Sequence, residues 1–154
     1  MINMRLEWQV VPHQSIGYWQ SLTLRDEVLR KPLNMLFDPA DLQKESSDYH
    51  VVGFYKGLVV ACSIMSKVEQ GAALKMRQVA VCQSLQLTGL GKQMVAYCET
   101  LAIELGAQRI VLNARESALP FYLALGYEVE GEEFTEVGLP HRRMMKLVDS
   151  NPSA

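Results

Sequence analysis

A strand that runs into a helix through a glycine-bearing turn is the feature that most constrains this chain. Val79–Val81 are apolar, the turn carries Gln86, Gly89 and Gly91, and an amphipathic helix follows. Such a turn leaves backbone N–H groups unpaired and pointing the same way, at the positive end of the helix dipole. It therefore predicts an anion site suited to a phosphate or pyrophosphate. The alternative is a tight connection that binds nothing, and the glycines alone do not decide between the two.

Composition indicates one domain with a real core, because 49% of the 154 residues are apolar and 21% are charged. The net charge of −2 gives no reason to expect nucleic acid or an anionic membrane as a partner. Cys62, Cys82 and Cys98 lie in apolar runs and predict free thiols in a reducing compartment; a disulfide is less favoured. With no signal peptide or membrane-spanning run, we expect a cytoplasmic domain at residues 1–148 and a flexible tail at residues 149–154.

Hydrophobic periodicity predicts seven strands and three main helices. Lys56-Gly57 indicates a two-residue hairpin, and Gly106 ends the longest helix. The segment 74–114 reads as strand, helix and strand, so its two strands should be parallel. The fold class is α+β, with a mixed, mostly antiparallel central sheet, a parallel βαβ crossover and helices on both faces. The strands are at 6–11, 49–55, 58–67, 74–82, 109–114, 127–130 and 142–148; the helices are at 14–30, 89–105 and 117–125, with a helical turn near Leu42.

Two motifs together resemble those of a known family. Gln86–Gly91 follows a strand, and Pro120–Tyr127 is similar to a Phe-Tyr-x-x-x-Gly-Phe/Tyr signature. The chain thereby resembles the GNAT superfamily of N-acetyltransferases, and a fold like theirs is implied. A narrower resemblance, to small bacterial members with a Glu-x-Gly-Ile/Leu-Pro-His-x-x-Met tail, rests on Glu136–Met144. Each motif is weak alone, and their order along the chain makes the joint signal strong.

The resemblance implies acetyl-CoA as the acetyl donor and no metal. The pyrophosphate would lie on the N–H groups of the turn, and the pantetheine arm would pair with the backbone of strand 74–82 where it splays from strand 109–114. Members often carry Asn after the second of these strands, where this chain has Arg115 and Glu116; the role of Asn113 stays open. A solvated lysine is the alternative for Lys92. The implied cofactor-binding residues are Val79, Ala80, Val81, Gln86, Leu87, Thr88, Gly89, Leu90, Gly91, Lys92, Asn113 and Phe121.

Tyr122 is the candidate general acid. A tyrosine hydroxyl can protonate a departing thiolate or donate a hydrogen bond to it. The alternative is a core tyrosine with a satisfied hydroxyl, which is the common fate of tyrosine at helical spacing. We expect Phe121 and Leu125, on the same helix, to be buried.

The general base is less well defined by the sequence. Glu136 and His141 flank a Gly138–Pro140 turn. Histidine is the residue type suited to take a proton from an ammonium near neutral pH, directly or through water. A hydrogen-bonded structural histidine is at least as good an interpretation of His141. Glu116 is a second candidate, with a role at a helix N-terminus as its alternative. Arg25, on the first helix, would face the acceptor, or it would be solvated or form a salt bridge, which are the commoner environments of an arginine.

These observations favour an acetyl-CoA-dependent N-acetyltransferase that moves an acetyl group to a primary amine by direct transfer in a ternary complex. The acceptor would be a small molecule or a peptide. The alternatives are a non-catalytic acyl-CoA-binding sensor and a structural domain that binds no cofactor. The sequence leaves open the acceptor, the use of larger acyl groups and the oligomeric state, although homodimers are common among similar proteins.

Overall fold

The computed structural model describes residues 5–86 and 88–148, and within them it forms seven strands and four α-helices. Leu87 and the predicted tail at residues 149–154 lie outside the described residues. The elements are β1 (Glu7–Val11), α1 (Ile16–Arg25), α2 (Pro39–Lys44), β2 (Tyr49–Tyr55), β3 (Leu58–Val68), β4 (Ala73–Val81), α3 (Leu90–Glu104), β5 (Arg109–Arg115), α4 (Leu119–Ala124), β6 (Glu128–Glu136) and β7 (Leu139–Leu147).

The strands are hydrogen-bonded in the order β1-β2-β3-β4-β5-β7-β6. Antiparallel pairing joins β1 to β2, β2 to β3, β5 to β7 and β6 to β7. The parallel pair is β4 and β5, which places Ala73–Met76 beside Arg109–Leu112. This arrangement confirms the predicted α+β fold with a mostly antiparallel sheet and a βαβ crossover.

The chain divides into two compact units. The first unit runs to Ser66 and resumes at Gln78–Cys98; the second consists of Lys67–Arg77 and the chain from Glu99 onward. In the first unit, α1 packs on the face of β3 that carries Cys62. The neighbouring Ser63 points to the opposite face, where its Oγ lies 3.3 Å from the Sγ of Cys98 on α3. Helices therefore cover both faces of the strands in this unit.

Local chemistry explains several boundaries in the first unit. The Ser15 side chain accepts a hydrogen bond from the Tyr18 N–H at 3.3 Å and begins α1. The predicted helix at 14–30 is divided, because α1 ends at Arg25 and a π-helical segment continues over Asp26–Arg30. The predicted β2–β3 hairpin is confirmed: Lys56 and Gly57 have φ angles of +50° and +83°, as a type I′ turn requires.

In the second unit, the last two strands are longer than the sequence predicts. Residues 131–136 and 139–141 belong to β6 and β7, whereas the predicted strands end at residue 130 and resume at residue 142. The turn between them is shortened to Val137-Gly138, and the pairing is irregular between Glu130 and Phe134. Charged residues are tolerated here because β6 is an edge strand whose side chains are largely exposed.

The apolar stripe that the sequence predicts for α3 is buried at Leu90, Met94, Cys98 and Leu101, and its last member, Leu105, is half-buried. The three cysteines are free thiols, as expected. Within residues 5–86 and 88–148, no helix is long and apolar enough to cross a membrane. Among the same residues, no group of three or more His, Cys, Asp or Glu side chains is placed to hold a metal ion.

Candidate functional site

The turn between β4 and α3 is held together by its own hydrogen bonds. The Cys82 N–H donates to the Val60 carbonyl at 2.8 Å, which fixes the end of β4. The Gln86 amide nitrogen donates to the Val81 carbonyl at 3.1 Å, and the Thr88 hydroxyl donates to the Leu85 carbonyl. These contacts use one of the two N–H groups of the Gln86 amide, so the other stays available to a ligand.

Gly89 forms the entry to α3. Its carbonyl accepts from the Gln93 N–H at 3.1 Å, which is the first helical hydrogen bond. Its φ of +89° strains any residue with a Cβ, although a Cβ there would meet no atom within 4 Å. Gln86, Thr88, Gly89 and Lys92 are all exposed. These exposed residues surround the N-terminus of α3, where backbone N–H groups lack partners within the helix, so the anion site stays a prediction.

The predicted pantetheine-binding residues form the end of β4. The ladder between β4 and β5 stops at Met76 and Leu112, before either strand ends. Gln78, two residues further along β4, has a φ of +53°. Val79 and Val81 are half-buried, and Ala80 is buried in the core beneath α1. The backbone of β4 thus changes direction just before the three residues that the sequence assigned to the acyl donor.

In the second unit, Tyr122 is the buried residue of α4. Its carbonyl accepts from the N–H groups of Leu125 and Tyr127, each at 3.0 Å, which fixes the end of the helix. The Tyr122 ring lies edge-on to the Tyr127 ring, at 5.6 Å between centroids. Phe121 is 38% exposed and Leu125 is half-buried, so the expectation that both are buried was wrong. The short helix turns Phe121 outward and Tyr122 inward.

The structure brings His141 and Glu136 together on the β6–β7 hairpin. His141 Nε2 lies 3.5 Å from a Glu136 carboxylate oxygen, and Nδ1 lies 2.9 Å from the Leu139 carbonyl. Because a carbonyl only accepts, Nδ1 donates there, and the ion pair with Glu136 forms when Nε2 is also protonated. The ring is buried and stacks on Phe134 at 6.0 Å. Both ring nitrogens therefore already have partners within the hairpin.

His141 lies on the face of β7 opposite to the one that α4, the helix of Tyr122, adjoins. Lys146 Nζ lies over the Tyr127 ring at 5.6 Å and donates to the Leu125 carbonyl at 2.8 Å, so α4 adjoins the face of β7 that carries Lys146. Pairing of β7 with β5 is regular from His141 to Leu147, and side chains alternate along a strand. The side chains of Lys146 and His141 consequently lie on opposite faces.

Two other predicted residues lie on or just after β5. Asn113 is half-buried and pairs with Arg143 of β7. Glu116 is exposed and lines an open groove of about 430 Å³ at the end of β5. The groove is lined by Arg115, Glu116, Ser117, Leu139 and Pro140.

Comparison with known proteins identifies the family. The model of the acetyltransferase (GNAT) domain matches residues 22–148. The chain belongs to the GNAT acetyltransferase family. It is 32% identical to the uncharacterized N-acetyltransferase YjcF of Bacillus subtilis, over 80% of this chain and 87% of that protein. Membership in the GNAT family supports acyl transfer as the activity, and the narrower branch suggested by Glu136–Met144 stays a prediction.

Solved structures share the GNAT fold. Escherichia coli ElaA superposes with a TM-score of 0.80 at 21% identity, covering 92% of this chain and 99% of that one. An aminoglycoside 6′-N-acetyltransferase solved with coenzyme A superposes with a TM-score of 0.78 at 15% identity, covering 95% and 99%. At these identities the likeness concerns the fold.

The core of the first unit of this GNAT protein contains a polar cluster that was not predicted from the sequence. Arg25 and Glu45, with side-chain exposures of 1% and 6%, form an ion pair at 2.8 Å. His50 is also buried and lies 2.8 Å from the Glu45 carbonyl through Nε2. Of the three environments considered for Arg25, the structure shows the salt bridge, and the side chain is buried and not solvated. The signal that was available is the polar Arg25 within the apolar stripe of α1.

Burial controls the titration of this cluster. It lowers the pKa of His50 below its ordinary value, although contact with the carbonyl and carboxylate of Glu45 opposes the change. Burial raises the pKa of the Cys62 thiol to about 12, with the Arg25 charge opposing. It also raises the pKa of Tyr18, as does the nearby Glu45 carboxylate. Neutral forms of all three groups are therefore favoured near neutral pH.

Proposed function

We propose that this protein is an acetyl-CoA-dependent N-acetyltransferase that acts on a primary amine of a small molecule or a peptide, by direct transfer in a ternary complex. The observation that carries the proposal is the exposed turn at the N-terminus of α3 in a chain of the GNAT family. Its N–H groups and the second N–H of the Gln86 amide suit the pyrophosphate of coenzyme A. Exposed Lys92, in the first turn of the helix, adds positive charge.

Transfer needs the amine nitrogen to attack the thioester carbon as the carbon–sulfur bond breaks. A base must take one proton from the ammonium, and the departing thiolate must gain a proton or a hydrogen bond. We assign the acid to Tyr122, whose position is fixed by its contacts at the end of α4. The candidates for the base are Glu116 and the His141–Glu136 pair, although His141 lies on the opposite face of β7 from the helix that carries Tyr122. Val79–Val81 would hold the pantetheine arm through their backbone. Asn113 and Phe121 would make further contacts with acetyl-CoA.

Thiol release from acetyl-CoA with a mixed panel of amines tests the activity. Wild-type protein should release coenzyme A with at least one amine class. Tyr122→Phe should bind acetyl-CoA normally and lower kcat by roughly 10²-fold, because only the proton donor is lost. Unchanged turnover would remove Tyr122 from the mechanism.

The same assay separates the alternatives. Tight coenzyme A binding without thiol release from any amine would support a sensor. Absence of a thermal shift at 100 times a micromolar Kd, where about 2.7 kcal/mol of stabilisation is expected, would rule out both the enzyme and the sensor. The pH–rate profile of His141→Ala tests the base: a profile that keeps the wild-type inflection would place the base elsewhere.

A further inference from the structure

The buried Arg25 side chain joins three parts of the first unit. Its Nη1 and Nη2 donate to the two oxygens of Glu45 at 3.0 and 2.8 Å. Its Nε and Nη2 donate to the Gln78 side-chain oxygen at 3.3 and 3.2 Å. All three guanidinium nitrogens are therefore engaged, and only arginine has a planar fork that can make this set of contacts.

Glu45 and Phe37 fix Arg25 in place. The bidentate contact with Glu45 restricts both position and orientation of the guanidinium plane. The Arg25 Cζ also lies 5.2 Å from the centre of the Phe37 ring, in cation–π range. Because the side chain is almost completely buried, water does not compete for these contacts. Arg25 is thus a rigid donor directed at Gln78.

Gln78 is the residue that needs such a donor. Its φ of +53° is a left-handed conformation in the middle of a strand, which non-glycine residues rarely adopt unless their surroundings enforce it. Rotation about this residue sets the directions of the N–H and C=O groups that follow. Those groups belong to Val79–Val81, the segment assigned above to the pantetheine arm.

We propose that Arg25, held by Glu45, is a positioning residue that fixes the left-handed turn at Gln78 and thereby orients Val79–Val81 to bind the pantetheine arm of the acyl donor. This role rests on the proposed function, since it needs an acyl-CoA ligand. In this role the buried Arg25 contacts neither the acyl donor nor the amine acceptor, and it acts only through the Gln78 side chain. This role predicts that loss of the Arg25–Gln78 contact weakens binding of the pantetheine arm, which β4 would hold, and leaves binding of the rest of the ligand unchanged.

Calorimetry with two ligands tests this selectivity. Coenzyme A carries the pantetheine arm, and its 3′-phosphorylated ADP fragment lacks the arm but keeps the groups that the α3 turn would bind. Gln78→Met removes the acceptor for Arg25 while keeping an unbranched side chain and the Arg25–Glu45 pair. It should weaken coenzyme A by about tenfold, the effect of about one lost hydrogen bond, and leave the Kd of the fragment unchanged.

Arg25→Lys attacks the same contact from the other side. It keeps the positive charge for Glu45 but loses the planar fork, so it should also weaken coenzyme A selectively. The double variant should bind coenzyme A no more weakly than the single variant with the lower affinity, because both substitutions break the same contact. Arg109→Lys, the same substitution at the bidentate Arg109–Glu69 pair of the second unit, is the control and should leave both Kd values unchanged.

The binding data distinguish failure of the positioning role from failure of the proposed function. Coenzyme A binding by Gln78→Met that equals wild type, or an equal loss for coenzyme A and the fragment, overturns the positioning role and leaves the proposed function intact. Additive losses in the double variant would also overturn it. Failure of the wild-type protein to bind coenzyme A overturns the proposed function, and the positioning role with it.

Discussion

Two arginine–glutamate clusters in this protein use the same chemistry in opposite environments. In the first unit, Arg25 and Glu45 are almost completely buried. In the second unit, four side chains form a charge ring in which each arginine contacts both glutamates, with exposures between 25% and 44%. The charge ring consists of Glu69, Arg109, Glu130 and Arg143.

The difference lies in what replaces water around each charge. At the charge ring, solvent can stabilise any charge that loses its partner, so each contact adds little. Around Arg25, the polar groups of Glu45 and Gln78 and the Phe37 ring take the place of water. A buried pair is costly to break, even when its net contribution to stability is small. The buried pair therefore specifies one geometry, whereas the charge ring tolerates change.

Removal of Glu45 should have the largest effect on stability. Glu45→Ala leaves the Arg25 guanidinium buried without a counter-charge and should lower the free energy of unfolding by about 3–5 kcal/mol. Urea unfolding monitored by tryptophan fluorescence measures the change. The control is Arg25→Met combined with Glu45→Leu, which removes both charges and should recover most of the loss. A double variant as unstable as Glu45→Ala would mean that the pair itself, and not the unpaired charge, carries the stability.

Acidification should have an intermediate effect, through His50. Burial lowers the pKa of His50 in the folded protein. On acidification, the unfolded chain therefore binds a proton near pH 6.5, the ordinary histidine pKa, and the folded protein binds it only at lower pH. Stability is therefore fully present above about pH 6.5 and falls as the pH drops towards the folded-state pKa, by at most about 1.4 kcal/mol per pH unit. Urea unfolding at several pH values measures this slope.

The control for this slope is His50→Gln, which can still donate to the Glu45 carbonyl and does not titrate. Its unfolding free energy should depend less on pH than that of wild type in the same range. His13, whose ring lies 5.6 Å from that of His50, stays in both proteins. Equal slopes in the two proteins would show that His50 does not cause the acid sensitivity.

The charge ring should give the smallest effect. Glu130→Ala removes two of its contacts and should cost about 0–1 kcal/mol, because all four side chains reach solvent. The cost should shrink further as salt screens the remaining charges. Urea unfolding at low and high ionic strength measures both values. A loss comparable to that of Glu45→Ala would refute the distinction between the buried and exposed clusters.

Sequence reasoning succeeded where the signal was local. The Lys56-Gly57 turn, the apolar stripe of α3 and the strand–helix–strand order of 74–114 depend on neighbouring residues, and the structure confirms them. It failed at β6, because a glutamate-rich segment does not predict a strand from its own sequence. Pairing with β7 is what makes this segment a strand. It also failed at Phe121, because a short helix buries only one narrow side.

The candidate site divides in the same way. Gly89 and Gly91 marked the turn into α3: Gly89 precedes the helix with a φ of +89°, and Gly91 lies in its first turn. Such conformations are a property of the local backbone. The pairing of His141 with Glu136, and the face of β7 on which it lies, depends on strand register. Register is set by contacts along whole strands, which a motif of a few residues does not contain.

By itself, the sequence determined the order of the elements, the hairpin at Lys56-Gly57, the glycine-bearing turn before α3 and the resemblance to GNAT proteins. Only the tertiary structure decided that Arg25 is buried and meets partners 20 and 53 residues away. Turns and periodic faces follow from backbone preferences over a few residues. The environment of a charged side chain depends on what the rest of the chain packs around it, and for Arg25 that environment is a carboxylate and a strained strand.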